Sequence, residues 1–344
     1  MKIAVASIAK NEAQFVERWA NSCVEADYRF ILDTGSTDNT HVMAGIYGVN
    51  HVTQVFDPWR FDHARNAVWN HLPDDIDHVV WLDMDEVLTP GWRQALETLP
   101  AGVTRPRYKY VWSWNPDGTE GLVYGGDKIC SRHGYTWRHP VHEVLTPLDT
   151  ETQHWVEGLE IHHHPDPTKS RGQYFDLLKL AVAEDPTDDR NQFYLGREYF
   201  FHGDYERATN HLIKATILSN WPPERAAAFR VLYKMNRNLV DLYHALRQDP
   251  CRRETLVALA QHYHDHSNWQ ACRQFAETAL DIRVKPLDYL CEPDAWGWLP
   301  YDLAALACWH LGDYATARFY GERACELAPG DERLRTNLGW YTSR

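Results

Sequence analysis

A spacing of small residues, repeated in the second half of the chain, restricts that half to one kind of fold. Gly203, Ala208 and Ala215 are separated by five and then seven residues, and two other sets keep this spacing: Ser267, Cys272 and Ala279, then Gly312, Ala317 and Ala324. Seven residues before each set stands a further small residue: Gly196, Ala260 or Ala305. Small side chains at fixed spacing let paired helices pack closely, so the period predicts stacked helix pairs from about residue 170 onward.

This spacing resembles the tetratricopeptide repeat, and each set also has an aromatic residue two positions after its first member: Tyr205, Trp269 or Tyr314. Residues 224–250 fit a weaker copy, whereas residues 282–300 interrupt the period. The resemblance implies an all-α tetratricopeptide-repeat domain at residues 169–344. We expect these helical repeats to bind a protein or peptide, and the oligomeric state stays open.

The first half of the chain alternates short apolar runs with helical patterns. This alternation is typical of βαβ units and a mostly parallel sheet, so we predict an α/β domain at residues 1–168. The predicted strands of its first part are residues 3–7, 30–33, 51–56 and 78–82. Asp33 ends the second strand and Asp83 follows the fourth. Because ligands of open α/β sheets bind outside the carboxyl ends of the strands, these acids mark the expected nucleotide site.

Charge and hydropathy exclude several classes of protein. The net charge of -13 argues against a chain that wraps a polyanion through general electrostatics. No window approaches the roughly 18 apolar residues of a membrane span, and the first residues lack the pattern of a signal peptide. We therefore expect a cytoplasmic protein. The seven cysteines are never spaced as CxxC, which disfavours disulfides and a thiolate zinc site.

The acidic motif Asp83-Met84-Asp85-Glu86 places carboxylates two residues apart at a predicted strand end. A lone motif of this kind is usually a helix cap or a pair of surface acids. The apolar strand before it and Asp33 on a neighbouring strand favour a metal site instead. Hard oxygen ligands suit Mg²⁺ or Mn²⁺, and such an ion can stabilise negative charge that develops on a leaving diphosphate.

Five motifs, in this order, resemble family 2 glycosyltransferases of the GT-A fold, and most closely the subgroup with C-terminal tetratricopeptide repeats. They are Lys10-Asn11-Glu12, the run from Asp33 to Thr40, Ala64-Arg65-Asn66, Asp83-Met84-Asp85-Glu86 and Pro140-Val141-His142-Glu143. The resemblance implies that residues 1–168 form a Rossmann-like GT-A catalytic domain with a mixed sheet. It also implies an inverting, metal-dependent transferase whose expected donor is a nucleoside diphosphate sugar, first of all a UDP-sugar.

The same resemblance implies roles for individual residues. The donor would contact Lys10, Asn11, Glu12, Asp33, Thr34, Arg65 and Asp83, with Arg65 at the diphosphate and Asp33 and Thr34 at the nucleobase. Asp85 would bind the metal with support from Asp83, and a late histidine would complete the site. Strand alternation puts His162 and His164 on one face and His163 on the other. We favour His162 or His164 as the metal ligand.

Inversion requires a group that deprotonates the acceptor as it attacks the sugar. Glu143, in the family-like motif, is the preferred base, although it could instead orient His142. Asp127 is the alternative, because it follows the flexible pair Gly125-Gly126, although it could instead be a turn acid.

The acceptor is open between a protein, a glycan, a lipid head and a modified nucleobase. A DNA acceptor requires a basic groove formed by Arg105, Arg107, Lys109, Lys128, Arg132 and Arg138. Four aromatic residues on one predicted strand face form either an acceptor wall or a buried sheet face: Tyr108, Tyr110, Trp112 and Trp114.

Two other classes of function compete with the transferase. The first is a binding scaffold, whose repeats recruit a partner while the sheet domain is weakly active or inactive. The second is a nucleotidyltransferase or phosphoesterase, which the absence of a GxxxxGK[ST] loop disfavours.

Overall fold

The computed structural model describes residues 1–166, 172 and 174–343, which form two compact units, Met1–Ala181 and Val182–Arg344. The first unit is mixed α/β and the second is all-helical, which confirms the predicted change of fold class along the chain. The domain boundary predicted between residues 168 and 169 lies outside the described residues. No helix in the described part of the chain has the length and apolar character needed to cross a bilayer.

The strands of the first unit are β1 (Ile3–Ala9), β2 (Tyr28–Asp33), β3 (Asn50–Thr53), β4 (His78–Trp81), β5 (Glu86–Leu88), β6 (Arg105–Val111), β7 (Val123–Gly126), β8 (Ile129–Ser131), β9 (Tyr135–Arg138), β10 (Val144–Pro147) and β11 (Gln153–His163). Its helices are α1 (Ala13–Ser22), α2 (Thr40–Ile46), α3 (Phe61–Val68), α4 (Trp92–Leu96) and α5 (Tyr174–Glu184), the last of which runs across the unit boundary.

A five-stranded sheet in the order β3-β2-β1-β4-β8 carries the predicted strands of the first part. The strands β1 to β4 are parallel and β8 is antiparallel to β4. The strand order reverses between β1 and β4, and ligands of open α/β sheets bind at the carboxyl ends of strands at such a point. The loops after β1 and β4, residues 10–12 and 82–85, therefore flank the expected crevice.

A second sheet has the order β5-β11-β6-β7, and its strand β5 begins at Glu86, the last residue of the acidic motif. Its strand β5 pairs antiparallel with β11, and the register sets Glu86 opposite His163. This pairing brings the end of β11, with its histidines, to the loop that carries the acidic motif. We call residues 82–86 the acidic loop.

The aromatic face of β6 is largely buried. Tyr108 and Tyr110 lie in the core of the unit, whereas Trp112 and Trp114 beyond the strand are half-buried and stack on His163 and His164. The two tyrosines therefore fit the buried-face alternative and not an acceptor wall.

The second unit consists of α6 (Asp189–Phe201), α7 (Tyr205–Leu218), α8 (Pro222–Asn236), α9 (Leu239–Gln248), α10 (Arg253–Asp265), α11 (Trp269–Asp281), α12 (Pro293–Trp296), α13 (Leu299–His310), α14 (Tyr314–Leu327) and α15 (Glu332–Thr342). Four consecutive pairs pack together, α6 with α7, α8 with α9, α10 with α11 and α13 with α14. The predicted helix pairs are thus confirmed, including the weaker copy at residues 224–250.

The small residues of the repeat serve two different purposes. Those within helices, such as Ala208, Cys272 and Ala317, are fully buried between helices, as predicted. The first member of each set instead lies in the turn between two helices, where Gly203, Ser267 and Gly312 have φ values of 76°, 56° and 81°. Left-handed backbone, and not helix packing, therefore selects a small residue there.

Gly196→Val tests the close packing of α6 on α7. A Cβ at Gly196 would lie 2.8 Å from Leu212 Cγ and 3.1 Å from the Leu212 backbone nitrogen, so the neighbouring helix must move. We expect this variant to lose about 2 kcal/mol of stability, or roughly 4–8 °C in the melting temperature of the helical unit. The matched control is Gly339→Val on α15, where nothing lies within 4 Å and the expected change is within about 0.5 kcal/mol. Equal melting temperatures for the two variants would contradict the packing argument.

Candidate functional site

Asp83, at the end of β4, is held between two cations. Its Oδ1 accepts a hydrogen bond from Arg65 Nη2 at 2.6 Å, and its Oδ2 accepts one from Lys128 Nζ at 2.6 Å. Burial raises the pKa of Asp83, but the charges of Arg65 and Lys128 outweigh that effect and hold the pKa well below its usual range. Asp83 is therefore an anion with both oxygens already engaged.

Lys128 is a site residue that the sequence analysis counted only as part of a basic stretch. It directly precedes β8, and its carbonyl accepts a hydrogen bond from Trp81 N at 3.0 Å, which fixes it beside the end of β4. This proximity results from an antiparallel pairing between segments more than 40 residues apart. A local sequence pattern carries no signal of that kind.

Glu86 shapes the acidic loop. Its Oε2 accepts from the Asp83 backbone nitrogen at 2.8 Å, and its Oε1 accepts from the Tyr110 hydroxyl at 2.5 Å. The side chain is only 1% exposed, and burial raises its pKa. Glu86 therefore closes the turn after β4 and does not face the crevice.

Arg65, on α3, links the acidic loop to Glu143, the base preferred from the sequence. Its Nε donates to Glu143 Oε1 at 2.6 Å, and its guanidinium lies over the Trp137 ring at 4.7 Å from the centroid. Burial lowers the pKa of Arg65, but Asp83 and Glu143 more than compensate, so its charge is permanent. Glu143 is thus the charge partner of Arg65.

The loop that carries Glu143 is held in unusual backbone conformations. His139 and His142 have φ values of 77° and 50°, and the Pro140 carbonyl between them accepts a hydrogen bond from Phe61 N at 3.0 Å. Left-handed conformations in residues other than glycine cost about 1–3 kcal/mol each and cluster at functional sites. The strain makes residues 139–143 a candidate functional loop, attached to the start of α3.

His163, at the end of β11, lies close to Asp85 of the acidic motif. His163 Nδ1 lies 2.9 Å from the Trp112 carbonyl oxygen, which can only accept, so the proton of the neutral ring belongs on Nδ1. Its Nε2 then offers a lone pair to Asp85 Oδ2, 3.4 Å away. A neutral ring thus sets two acceptors against each other, and a proton on Nε2 or a bound cation makes the contact favourable. A histidine oriented through its other nitrogen by a carbonyl is the usual arrangement of a metal ligand.

The pKa of His163 is consistent with this need for positive charge. Burial lowers the pKa of His163, but the hydrogen bonds to Asp85 and to the Trp112 carbonyl raise it by more. The pKa therefore lies above its ordinary value. A proton or a metal ion can satisfy the pair.

His162 and His164, the two histidines predicted to join Asp85, have other side-chain partners. His162 and Glu160 share the face of β11 opposite to that of His163, and His162 Nε2 lies 3.0 Å from Glu160 Oε2. His164 stacks on Trp114. The register of β11 on β5 turns His163 toward the acidic loop. The structure therefore brings His163, and neither predicted histidine, to the Asp85 carboxylate.

His162 belongs to a separate cluster with Glu120 and Glu160, whose ligand atoms lie within 4.8 Å of one another. Lys109 Nζ already pairs with Glu120 Oε1 at 2.5 Å and with Glu160 Oε1 at 3.4 Å. A cation from the chain thus compensates these two carboxylates.

Three of the residues expected to contact the donor hold the loops after β1 and β2 in place. Asp33 Oδ1 accepts from Ser36 N at 2.9 Å, and Thr34 Oγ1 donates to the Ala9 carbonyl at 3.0 Å. Asn11 Oδ1 accepts from Thr37 N at 2.7 Å. Asp33 is thus the cap of its own turn, as an Asp-x-Gly-Ser sequence favours.

The remaining two residues of the β1 loop differ in exposure. The Glu12 backbone nitrogen donates to Thr40 Oγ1 at 2.8 Å and the residue is buried, whereas Lys10 is exposed at the rim of the crevice. Contacts of these five residues with the donor, including those of Asp33 and Thr34 with its nucleobase, stay a prediction.

Asp127, the alternative base, is exposed in the turn between β7 and β8. Its backbone carbonyl accepts from Arg105 Nη1 at 2.6 Å. The preceding Gly126 packs against Tyr108, because a Cβ there would lie 2.2 Å from the ring. Packing against Tyr108 therefore requires this glycine, which the sequence analysis treated as part of a flexible pair.

The basic groove required for a DNA acceptor is not formed by the six residues predicted for it. Arg105, Arg107 and Arg132 donate to backbone carbonyls, and two of these side chains are nearly inaccessible. Lys109 and Lys128 pair with carboxylates, which leaves Arg138 exposed. Five of the six basic side chains therefore already have carbonyl or carboxylate partners within the protein. The structure does not favour a nucleic-acid acceptor.

No family model matches the chain. Among solved structures, the chain is similar to MamA, with 17% identity, a TM-score of 0.37 and coverage of 44% of this chain and 85% of MamA. It is similar to yeast Tom70, with 17% identity, a TM-score of 0.38 and coverage of 52% and 37%. It is also similar to a thermophilic TPR protein of Thermus thermophilus, with 17% identity, a TM-score of 0.34 and coverage of 50% of this chain and 92% of that protein. Similarity at this level carries no argument about function, and the assignment of tetratricopeptide-like repeats rests on the helix pairs described above.

Proposed function

We propose that this protein is a metal-dependent glycosyltransferase of the GT-A type that uses a nucleoside diphosphate sugar, with a UDP-sugar as the leading donor. The observation that carries the proposal is the close pair of Asp85 Oδ2 and His163 Nε2, 3.4 Å apart. Asp85 lies on the acidic loop at the strand-order reversal, next to Asp83 with its two cations. The sequence motifs of the resembled family supply the reaction class.

Asp85 and His163 would hold the divalent cation, and Asp83 would support them without binding it directly. An imidazole beside a carboxylate favours Mn²⁺, although Mg²⁺ also suits the acidic loop. When bound there, the cation neutralises charge that develops on the leaving diphosphate.

Arg65 and Lys128 provide fixed positive charge on the other side of the acidic loop. Asp83 holds both cations in place, and a planar guanidinium suits two phosphate oxygens. Because these charges are positioned before the donor arrives, little reorganisation is needed when the diphosphate leaves.

The two candidate bases now have different roles in our proposal. A proton transferred to Glu143 Oε1 would disrupt its charge-assisted hydrogen bond with Arg65, so we assign Glu143 as the residue that positions Arg65. Asp127 is exposed and directly precedes Lys128, which contacts Asp83. We therefore favour Asp127 as the base, which reverses the preference drawn from the sequence.

Ligand-dependent melting tests the metal assignment. With Mn²⁺ and each of a panel of nucleoside diphosphate sugars, we expect the correct donor at about 100 times its Kd to raise the melting temperature of the first unit by roughly 5–10 °C. EDTA should remove the shift. Asp85→Asn and His163→Gln should each abolish it, whereas the matched control His162→Gln should retain it. Absence of any shift in the wild-type protein, with no effect of chelation, rejects the enzyme proposal.

Hydrolysis of the donor by water distinguishes the two carboxylates without requiring the acceptor. Asp127→Asn should lower kcat about 10²–10⁴-fold with little change in donor KM, because a general base acts on the attacking oxygen. Glu143→Gln should mainly raise donor KM, since Arg65 loses a partner. If Glu143→Gln shows the larger loss of kcat and Asp127→Asn is unaffected, the two roles must be exchanged.

A binding scaffold with an inactive sheet domain is the second candidate. One observation favours it: Asp83 and Glu143 are already neutralised by Arg65 and Lys128, so this part of the site is electrically satisfied without a ligand. In that case the chain would neither hydrolyse a nucleoside diphosphate sugar nor be stabilised by one.

A further inference from the structure

The five-stranded sheet of the first unit has one closed edge and one open edge. At one end, β8 is engaged on its outer side, because Ser131 N donates to the Thr104 carbonyl at 2.8 Å. Two charged residues, Lys128 and Arg132, also flank it. At the other end, β3 pairs with β2, and no other strand in the described part of the chain pairs with it. The β3 edge is therefore the one that can accept a further strand.

The backbone groups of β3 alternate between β2 and the open side. Gln54 N donates to the Asp33 carbonyl at 2.8 Å, so by alternation the N–H and C=O groups of Val52 also point toward β2. Those of His51 and Thr53 point away from the sheet. Unpaired groups in such a row are a template for pairing with another chain.

The segment around this edge has no formally charged side chain. Residues 39–56, which include α2 and β3, contain no Lys, Arg, Asp or Glu, whereas no other such run in the sequence exceeds ten residues. Natural proteins usually protect an exposed edge strand with charges, especially lysine, or with proline. The strand β3 has neither and leaves Val52 39% exposed.

The helix α2 adds apolar surface beside the open strand. It packs next to β3, since a Cβ at Gly45 would lie 3.7 Å from His51 Cε1. Val42 and Ile46 lie four residues apart on this helix, so they share one helix face, and both are exposed. We call residues 39–56 the neutral edge.

The charge of the chain indicates which partner suits the neutral edge. With a net charge of -13, two copies of the chain repel one another over most of their surface, but not where they meet without charge. A basic partner would instead be attracted to the acidic remainder of the surface. A strand edge is also complementary to itself, because a two-fold axis sets two copies of one strand antiparallel. A second copy of this chain is therefore the partner that fits.

We propose that two copies of this chain pair antiparallel through β3 and join their five-stranded sheets into one continuous sheet. With the two-fold axis at Val52, His51 of each copy exchanges both backbone hydrogen bonds with Thr53 of the other. The two Val52 side chains then face each other as a close pair without backbone hydrogen bonds between them. Val42 and Ile46 add apolar burial beside the strands. This inference is independent of the transferase proposal.

Charge exchange at Val52 tests the pairing in the full-length protein, with sedimentation velocity over a series of concentrations. We expect a dimer for the wild type and monomers for Val52→Asp and for Val52→Lys, because like charges directly opposite each other are destabilising. An equimolar mixture of these two variants should form the dimer again. The matched control Val284→Asp, at an exposed valine of the second unit, should stay dimeric.

Three results would overturn the proposal. They are a wild-type protein that is monomeric at every concentration, a dimer that persists in Val52→Asp, and a mixture of the two folded variants that stays monomeric. Circular dichroism and an unchanged melting temperature of the monomer show that each variant is folded.

Hydrogen exchange at residue resolution tests the wild-type protein without any substitution. On concentration from monomer to dimer, we expect the amides of His51 and Thr53 to exchange about 10-fold more slowly, because their N–H groups gain partners. The amides of Val52 and Gln54, which point toward β2, are the internal control and should exchange equally in both states. Unchanged exchange of His51 and Thr53 in a dimer would show that the copies meet elsewhere and would overturn the proposal.

Discussion

The candidate site depends on the burial of one guanidinium. Arg65 has a 4% exposed side chain and carries a permanent charge, so it requires the carboxylates of Asp83 and Glu143. Removal of one partner from a buried ion pair typically costs about 3–5 kcal/mol, because the remaining charge is left uncompensated. This requirement ties α3 to the end of β4 and to the loop at residues 139–143. Lys128 enters the same network through the second oxygen of Asp83.

A separate constraint creates the proposed metal pair. Asp85 comes from the loop after β4, whereas His163 comes from the end of β11, more than 70 residues later. The antiparallel pairing of β5 with β11 brings them together, and the Trp112 carbonyl sets the orientation of the ring. Glu86, with its hydrogen bond from Tyr110, fixes the turn that presents Asp85. The cations Arg65 and Lys128 therefore contact Asp83, and His163 lies beside Asp85, two residues further along the same loop. This arrangement suits the proposed donor, a negatively charged molecule held with a divalent ion.

Local patterns predicted the parts of the fold that local physics determines. The βαβ alternation, the acidic residues at strand ends and the helix pairs follow from periodicities of apolar and small residues. Which histidine faces the Asp85 carboxylate did not follow, because it depends on the register between β5 and β11. A shift of one residue exchanges the faces of His162 and His163. The role of Lys128 depends in the same way on contacts between distant segments. Gly203, Ser267 and Gly312 carried a local signal, since Asp204, Asn268 and Asp313 follow them as helix caps.

The identity of the metal-binding nitrogen is the most direct test of the account. Electron spin echo spectroscopy of Mn²⁺ bound together with UDP reports a ¹⁴N coupling when an imidazole coordinates the ion. We predict such a coupling in the wild-type protein and in His162→Gln, and its loss in His163→Gln. A wild-type spectrum without nitrogen coupling, or a coupling that persists in His163→Gln, would contradict the assignment of Asp85 and His163 as the metal site.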